Sequence, residues 1–136
     1  MILKNMDNID QVRDEAFTCF KRSHTRESDG RILVWDVERL WRLSQEISPM
    51  PKLVEGFTEF DENMWFTDTR VTVKEVVKHT ERINNCDLSF PIILNADGQI
   101  MDGVHRLAKA YILGHEKINV VQFSETPSPD RIFCFH

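Results

Sequence analysis

The sequence predicts a small α/β domain of the mixed α+β type, with a small mixed sheet and packed helices. Short apolar runs bounded by turn residues predict strands, and apolar residues at helical spacing behind capping residues predict helices. The chain has 136 residues, of which 41% are hydrophobic. A chain of this length buries about two thirds of its unfolded surface. We therefore expect a folded core that needs neither disulfides nor metals.

The first residues predict a helical arm, because apolar residues recur at helical spacing between charged ones. These apolar residues are Ile9, Val12, Ala16, Phe17 and Phe20. Ser28, Asp29 and Gly30 break the pattern. We place the arm at residues 1–31, the core at 32–123 and a tail, loop-like except for a short apolar end, at 124–136.

The core begins with one strand and one helix. Ile32–Trp35 is an apolar run that predicts a buried strand, and Asp36 is placed to cap the helix that follows. Apolar positions at helical spacing continue from Val37 until the prolines near residue 50 stop the helix.

Residues 53–70 lack periodicity and mix acidic with aromatic side chains. Loops of more than about 12 residues are uncommon in compact domains unless they are functional or mobile. Two interpretations stay open for this segment. It is either a lid over a pocket or a surface loop whose aromatic residues anchor it to the core.

A helix is predicted from Thr72 to Ile83, because Thr72 and Glu75 form a capping box. One face is expected to be apolar and the other, which carries His79, is expected to be solvated. The apolar face consists of Val73, Val76, Val77, Thr80 and Ile83.

The next segment predicts a hairpin. Pro91–Leu94 and Gln99–Met101 have the character of strands, and Asp97-Gly98 between them is a strong signal for a type I′ turn. A helix opens after Gly103, and Gly114 is expected to end it. Its apolar stripe comprises Val104, Leu107, Ala108, Tyr111 and Ile112, and a final strand is predicted at Ile118–Phe123.

Charge and composition exclude several classes of protein. The 17 Lys and Arg residues are spread along the chain against 22 Asp and Glu, for a net charge of −5. This balance argues against binding to duplex nucleic acid, which requires clustered cations. The absence of an apolar run of about 18 residues argues against a membrane span and favours the cytoplasm. The three cysteines lie far apart, and no histidine pair has metal-binding spacing, which disfavours a disulfide framework and a transition-metal site.

The turn from Asp102 to Arg106 is the candidate site. The first N–H groups of a helix lack intrahelical partners and suit a phosphate, and Gly103 would let the backbone approach it. Arg106 could supply charge-assisted hydrogen bonds to that phosphate, with His105 beside it. The alternative is structural: Asp102 caps the helix and pairs with Arg106.

The order of these elements resembles the ParB/sulfiredoxin-like superfamily. The resemblance rests on the strand before Asp97-Gly98, the Asp102-Gly103-Val104-His105-Arg106 string at the hairpin-to-helix turn, and the strand at Asn119–Val121. It covers about residues 32–123. It implies a phosphate or nucleotide site at Gly103, Val104, His105 and Arg106. Sulfiredoxins have a catalytic cysteine where this chain has Val104, so sulfinic acid reduction is not expected.

The kinase-like members of that superfamily retain an aspartate at the position of Asp102. The resemblance therefore implies that Asp102 is a Mg²⁺ ligand or proton acceptor, with His105 beside it as a catalytic residue. Glu38 is the first candidate for a second catalytic carboxylate, although it could equally be a solvated helix residue. Weaker candidates are Glu59, Asp61 and Glu62.

We therefore expect a protein that binds a nucleotide (ATP, ADP or CTP, with Mg²⁺) or another phosphorylated small molecule. Phosphotransferase or nucleotide hydrolase activity is an open extension of this expectation. The rival function is a noncatalytic regulatory or protein-interaction module that uses the segment around Trp65. A role in processing nucleic acid ranks third, because the charge balance opposes it.

Overall fold

A computed structural model describes residues 9–66 and 71–135. Over these residues it contains four α-helices and two sheets, of three and four strands, which confirms the predicted α/β fold class. None of the described helices combines the length and the apolar character that crossing a membrane requires. The described residues divide into two compact units, one of residues before 47 and after 125 and one of residues between 47 and 125. The predicted division into arm, core and tail stays a prediction.

The first unit holds a three-stranded antiparallel sheet in the order β1-β2-β7. Its elements are α1 (Ile9–Thr18), β1 (Ser23–Ser28), β2 (Arg31–Asp36), α2 (Val37–Ser44) and β7 (Arg131–Cys134). The predicted strand at β2 is confirmed. The helical arm ends at Thr18, so the prediction of helical structure beyond it was wrong. Strand β1 has no apolar residue, and it pairs with β2 without the alternation from which strands are predicted.

Asp29 and Gly30 make the turn between β1 and β2. Ser28 pairs with Arg31, which leaves a two-residue loop. Both loop residues have positive φ, 51° for Asp29 and 74° for Gly30. Positive φ at both positions defines a type I′ turn, whose twist matches that of the flanking strands. The residues that the sequence indicated as a break therefore close a hairpin.

The core of the first unit lies between α1 and β2. Val12 and Ala16 on α1 pack against Ile32 and Val34 on β2, and all four are buried. The side chain of Asp36 accepts a hydrogen bond of 3.0 Å from the backbone N–H of residue 38, which confirms the predicted cap of α2.

The second unit is built on a four-stranded mixed sheet in the order β3-β6-β4-β5. Strands β4 and β6 are parallel, and the other neighbours are antiparallel. The elements are β3 (Met50–Leu53), α3 (Val73–Asn85), β4 (Ile92–Leu94), β5 (Ile100–Asp102), α4 (Val104–Ile112), β6 (Lys117–Gln122) and two short 3₁₀ helices at Val54–Gly56 and Thr58–Asp61. Strand β3, which was not predicted, carries Pro51 at the sheet edge, where a proline is tolerated.

The hairpin between β4 and β5 is confirmed, but its predicted turn type was wrong. Gly98 has a φ of 85°, whereas Asp97 does not have positive φ. Asn95 closes the loop, since its backbone N–H donates to the carbonyl of Gln99 at 2.9 Å. The side chain of Asn95 also accepts from the N–H groups of Asp97 and Gln99. These bonds stabilise a three-residue loop instead of a type I′ turn.

Helix α4 covers the core of the second unit with only part of the predicted stripe. Leu107 is fully buried, whereas Tyr111 and Ile112 are 52% and 67% exposed. The core consists of Val54, Phe57, Ile92, Leu94, Ile100, Leu107, Ala110, Ile118 and Val120. Gly114 has a φ of 77° and ends the helix as predicted. Its N–H donates to the carbonyl oxygen of Tyr111, and the N–H of His115 donates to the carbonyl oxygen of Ala110, which is the Schellman pattern.

Helix α3 begins as predicted, with Thr72 Oγ1 accepting from the N–H of Glu75 at 3.2 Å. Its orientation differs from the prediction, because no residue of α3 is buried and Val73 is 81% exposed. Lys109 of α4 donates to two carbonyl oxygens at the end of α3, those of Asn84 at 3.0 Å and Cys86 at 2.7 Å. This contact secures the end of α3 against α4 and leaves the valines outside.

The acidic and aromatic segment is anchored to the second unit over its described part. Val54 and Phe57 are each 2% exposed and belong to the core. Glu59 is also buried, and its Oε2 accepts a 2.6 Å hydrogen bond from the N–H of Ile100 in β5. The interpretation as an anchored loop is therefore confirmed for these residues. Residues 67–70 lie outside the described part, and the lid stays a prediction.

Replacement of Gly103 by alanine should destabilise the second unit strongly. Gly103 has a φ of 120°, and an added Cβ would lie 3.0 Å from Ile92 Cγ1 and 3.2 Å from Ile92 Cα. We expect Gly103→Ala to lower the free energy of unfolding by about 2–4 kcal/mol, from backbone strain and overpacking together. Gly114→Ala is the matched control, because Gly114 also has positive φ but has no atom within 4 Å of an added Cβ. Equal losses in urea denaturation would show that the close approach at Gly103 contributes nothing.

Candidate functional site

The candidate site lies where β5 passes into α4. Gly103 is the N-cap residue of α4 and makes no side-chain capping hydrogen bond, since it has no side chain. The first turn contains no acidic residue. By contrast, Asp36 caps α2 and Thr72 caps α3 through side-chain oxygens. The structure therefore brings Asp102 through Arg106 together at a helix N-terminus whose N-cap residue is a glycine and whose first turn contains no acidic residue.

Arg106 is a buried part of the turn, with 8% exposure. Its Nη2 donates to Asp102 Oδ2 and to the carbonyl oxygen of Pro91, both at 3.1 Å. The predicted pairing of Asp102 with Arg106 is confirmed. Gly103 occupies the N-cap position of α4, and capping by the Asp102 side chain stays a prediction. The guanidinium thereby joins the start of β4, the end of β5 and the first turn of α4.

His105 is paired with a second histidine. Its Nε2 lies 2.8 Å from Nδ1 of His79 on α3, and the two rings are inclined by only 11°. The indole of Trp65 stacks on both, with ring centroids 4.7 Å from each imidazole. Trp65 Nε1 is buried and has no hydrogen-bond acceptor among the described residues, so stacking holds this side chain. We call Trp65, His79 and His105 the ring stack.

Both imidazoles favour the neutral form. The pKa of His105 is lowered to about 4, chiefly by burial and in addition by the neighbouring His79 and Arg82, against a smaller opposing effect of Asp102. Burial and Arg82 also lower the pKa of His79. At pH 7 the N–H of one neutral ring therefore donates a hydrogen bond to the unprotonated nitrogen of the other. His105 would meet a phosphate as a neutral group, without the charge of an imidazolium.

Sequence reasoning missed His79 and Trp65. His79 was assigned to the solvated face of α3, because the valines were taken to face the core. The histidine is instead partly buried on the face that packs toward α4. The sequence offered one weak signal for Trp65, its place in an aromatic-rich segment without periodicity. That signal does not indicate which other side chains Trp65 contacts.

A cavity of about 440 Å³ lies beside the first residue of α4. Val104 and Ala108 contribute to its wall from the helix, and the remaining lining residues belong to the segment 59–66. Aromatic rings and carboxylates both occur in that segment. The aromatic residues are Phe60, Trp65 and Phe66, and the acidic residues are Glu59, Asp61 and Glu62.

The described residues provide no preformed metal site, since no group of three or more His, Cys, Asp or Glu side chains is arranged to hold an ion. Asp102 Oδ2 is bonded to Arg106, and Glu59 Oε2 is bonded to the backbone of β5. Asp61 and Glu62 are exposed. Because Mg²⁺ commonly binds one or two carboxylates together with substrate phosphates, Asp102 as its ligand stays a prediction.

Glu38 belongs to the first unit. It is exposed in the first turn of α2, where its backbone N–H donates to the Asp36 cap. Its role as a second catalytic carboxylate stays a prediction.

No protein-family model matches the chain, and no curated protein or solved structure matches it either. The resemblance to the ParB/sulfiredoxin-like superfamily therefore stays a prediction from the sequence.

The ring stack predicts a loss of stability in mild acid. The folded pKa of His105 is about 4, below its usual value of 6.5, so the unfolded chain takes up the proton first as the pH falls. The contribution of neutral His105 to the free energy of unfolding should be fully present above pH 6.5 and should be lost as the pH falls from 6.5 to 4. We expect His105 to contribute about 1–2 kcal/mol to this decline, since its partial exposure screens the effect.

Urea denaturation at several pH values should show this slope, and His105→Gln should flatten it. His115→Gln provides the control, because His115 is exposed and outside the ring stack. An unchanged slope in His105→Gln would contradict the assignment.

Proposed function

We propose that the second unit binds a nucleotide or another phosphorylated small molecule at the N-terminus of α4. The observation that carries this proposal is the glycine, Gly103, at the N-cap position of α4. The first N–H groups of a helix lack intrahelical partners, the N-cap residue Gly103 has no side chain with which to bind them, and the first turn contains no acidic residue. A bound anion would satisfy these donors and interact favourably with the helix dipole.

The proposal assigns the predicted residues different tasks. The backbone from Gly103 to His105 would contact the phosphate. Because Gly103 has no side chain, nothing at this residue would stand between the backbone and the phosphate. Arg106 would act chiefly on the shape of the turn, because its guanidinium is buried and bonded to Asp102 and Pro91. Catalysis by Asp102, with or without Mg²⁺, is a further prediction that binding alone does not require.

The adjoining cavity supports a ligand larger than inorganic phosphate. Val104 is the first residue of α4 and also lines the cavity. A molecule whose phosphate occupies the helix N-terminus could therefore place its organic part against the segment 59–66. The volume of about 440 Å³ is within the range typical of small-molecule sites.

Substitutions at His105 should separate an anion site from a site that depends on the ring stack. His105→Asp and His105→Asn both lose the imidazole, but only the aspartate adds a negative charge to the first turn of α4. We expect calorimetric titration with ATP, ADP and CTP, with Mg²⁺, to show binding. His105→Asp should weaken that binding at least about tenfold relative to His105→Asn, because like charges repel there.

Circular dichroism of both variants controls for folding. Equal affinities of the aspartate and asparagine variants would contradict an anion site at this turn. Absence of binding to the unmodified protein would contradict the proposal altogether.

A second candidate function, a protein-interaction module, is favoured by the exposed apolar face of α3. Val73, Val76 and Val77 are 81%, 50% and 47% exposed. Burial of such side chains against a partner would recover about 25 cal/mol per Å² of apolar surface. This candidate shifts the proposed partner surface from the neighbourhood of Trp65 to α3.

The valines give a clear expectation for mutagenesis. Val76→Lys should change the free energy of unfolding by no more than about 0.5 kcal/mol, because the side chain is half exposed. It should also reduce any self-association that sedimentation velocity detects in the unmodified chain. Lys78→Glu serves as the control, because Lys78 is exposed and lies on the other face of the same helix. A loss of more than about 2 kcal/mol would mean that Val76 is packed within the chain.

A further inference from the structure

The cavity beside α4 combines aromatic walls with one sign of charge. The rings of Phe60, Trp65 and Phe66 line it, together with Met64. Its charged lining residues are all acidic, namely Glu59, Asp61 and Glu62, and no Lys, Arg or His is among the lining residues that the structure describes. An aromatic ring presents a negative face, and a carboxylate adds a full negative charge, so both favour a cation.

We propose that this cavity is a binding site for an organic cation, such as a quaternary ammonium or an alkylated amine. A uniformly anionic or purely apolar ligand fits these walls less well. The carboxylates would repel an anionic ligand. Against an apolar ligand they would lose their hydration without gaining a polar partner. A cation of this class carries apolar groups on its charged centre, which the rings and the methyl groups of Val104 and Ala108 can contact.

The carboxylates differ in their availability to such a ligand. Glu59 is buried, and its Oε2 is bonded to Ile100 N–H, so it contributes mainly to the potential of the cavity. Asp61 and Glu62 are exposed, and they can approach a cation without breaking a bond in the core. We therefore assign the direct ionic contacts to Asp61 and Glu62.

The ring stack prepares Trp65 for this role. The two imidazoles cover the indole at 4.7 Å and restrict its orientation before a ligand arrives. Because they are neutral at pH 7, they do not oppose a cation in the cavity. An ordered aromatic wall loses little conformational entropy on binding, which favours affinity.

If the phosphate at α4 belongs to the same molecule, the ligand is a phosphorylated amine. This last step rests on the proposed function, whereas the cation site rests on the cavity alone. Val104 connects the two, since it is both the first residue of α4 and a cavity residue.

Choline and its uncharged isostere 3,3-dimethylbutan-1-ol provide the direct test, because they differ in charge and hardly in shape. Titration of the full chain, followed by the NMR signal of the Trp65 indole, should show choline binding about tenfold more tightly than the alcohol. Asp61→Asn combined with Glu62→Gln should abolish this preference. Glu55→Gln removes an exposed carboxylate outside this cavity and should preserve it.

The phosphate esters of both alcohols distinguish the cation site from the phosphate site. Tighter binding of phosphocholine than of either choline or 3,3-dimethylbutyl phosphate would support both sites in one ligand. Equal binding of the two esters, with no binding of choline, would overturn the cation site and leave the phosphate proposal standing. Equal binding of choline and phosphocholine would support the cation site and count against the phosphate. Equal or absent binding of choline and 3,3-dimethylbutan-1-ol would overturn the cation site.

Discussion

The close approach of Ile92 and Arg106 to Gly103 is the constraint on which the second unit depends. The backbone of β4 passes where a side chain at residue 103 would stand, and the guanidinium of Arg106 fills the remaining space. Arg106 can then reach Asp102 and the carbonyl of Pro91 at the same time. Because one residue without a side chain permits all of these contacts, the position of the α4 N-terminus relative to the sheet follows from Gly103. The absence of a side chain at the N-cap position of α4 follows from it too.

The ring stack is the second organising contact, and it joins three segments that are distant in sequence. Trp65 comes from the acidic and aromatic segment, His79 from α3 and His105 from α4. Lys109 adds bonds to the end of α3, where carbonyl groups lack intrahelical partners. The hydrogen bond between the imidazoles needs an acceptor nitrogen, so it cannot form between two protonated rings, which would also repel each other. Two neutral rings meet this condition. Burial and the nearby Arg82 favour that neutral state by lowering the pKa of each ring.

Local signals in the sequence were sufficient for much of the fold. The caps at Asp36 and Thr72, the stop at Gly114 and the β4–β5 hairpin each depend on a few adjacent residues, and the structure confirms them. The Asp-Gly dipeptide did not suffice to predict the turn type, because a neighbouring side chain can change the geometry of the turn. Asp29-Gly30 forms a type I′ turn, whereas Asp97-Gly98 does not, because the Asn95 side chain binds the backbone of that loop.

Long-range contacts account for most of the rest. The valine pattern of α3 predicts a buried face, but the helix is held by Lys109 at its end and by His79 against His105, and the valines remain exposed. The candidate turn was predicted from its glycine and its position before a helix. Its partners Trp65 and His79 were not, since a stacking contact between distant segments leaves no periodic trace in the sequence.

The two proposed subsites have opposite electrostatic preferences within a short stretch of chain. The first turn of α4 presents N–H donors and the positive end of a helix dipole, whereas the cavity beside it is lined by carboxylates and aromatic faces. The acidic cavity would weaken the binding of a ligand that is only anionic, and the positive end of α4 would weaken the binding of a ligand that is only cationic. A molecule with separated charges uses both fields. The neutral state of the ring stack is consistent with this arrangement, because a protonated His105 would extend positive charge from the turn toward the cavity and reduce the contrast between them.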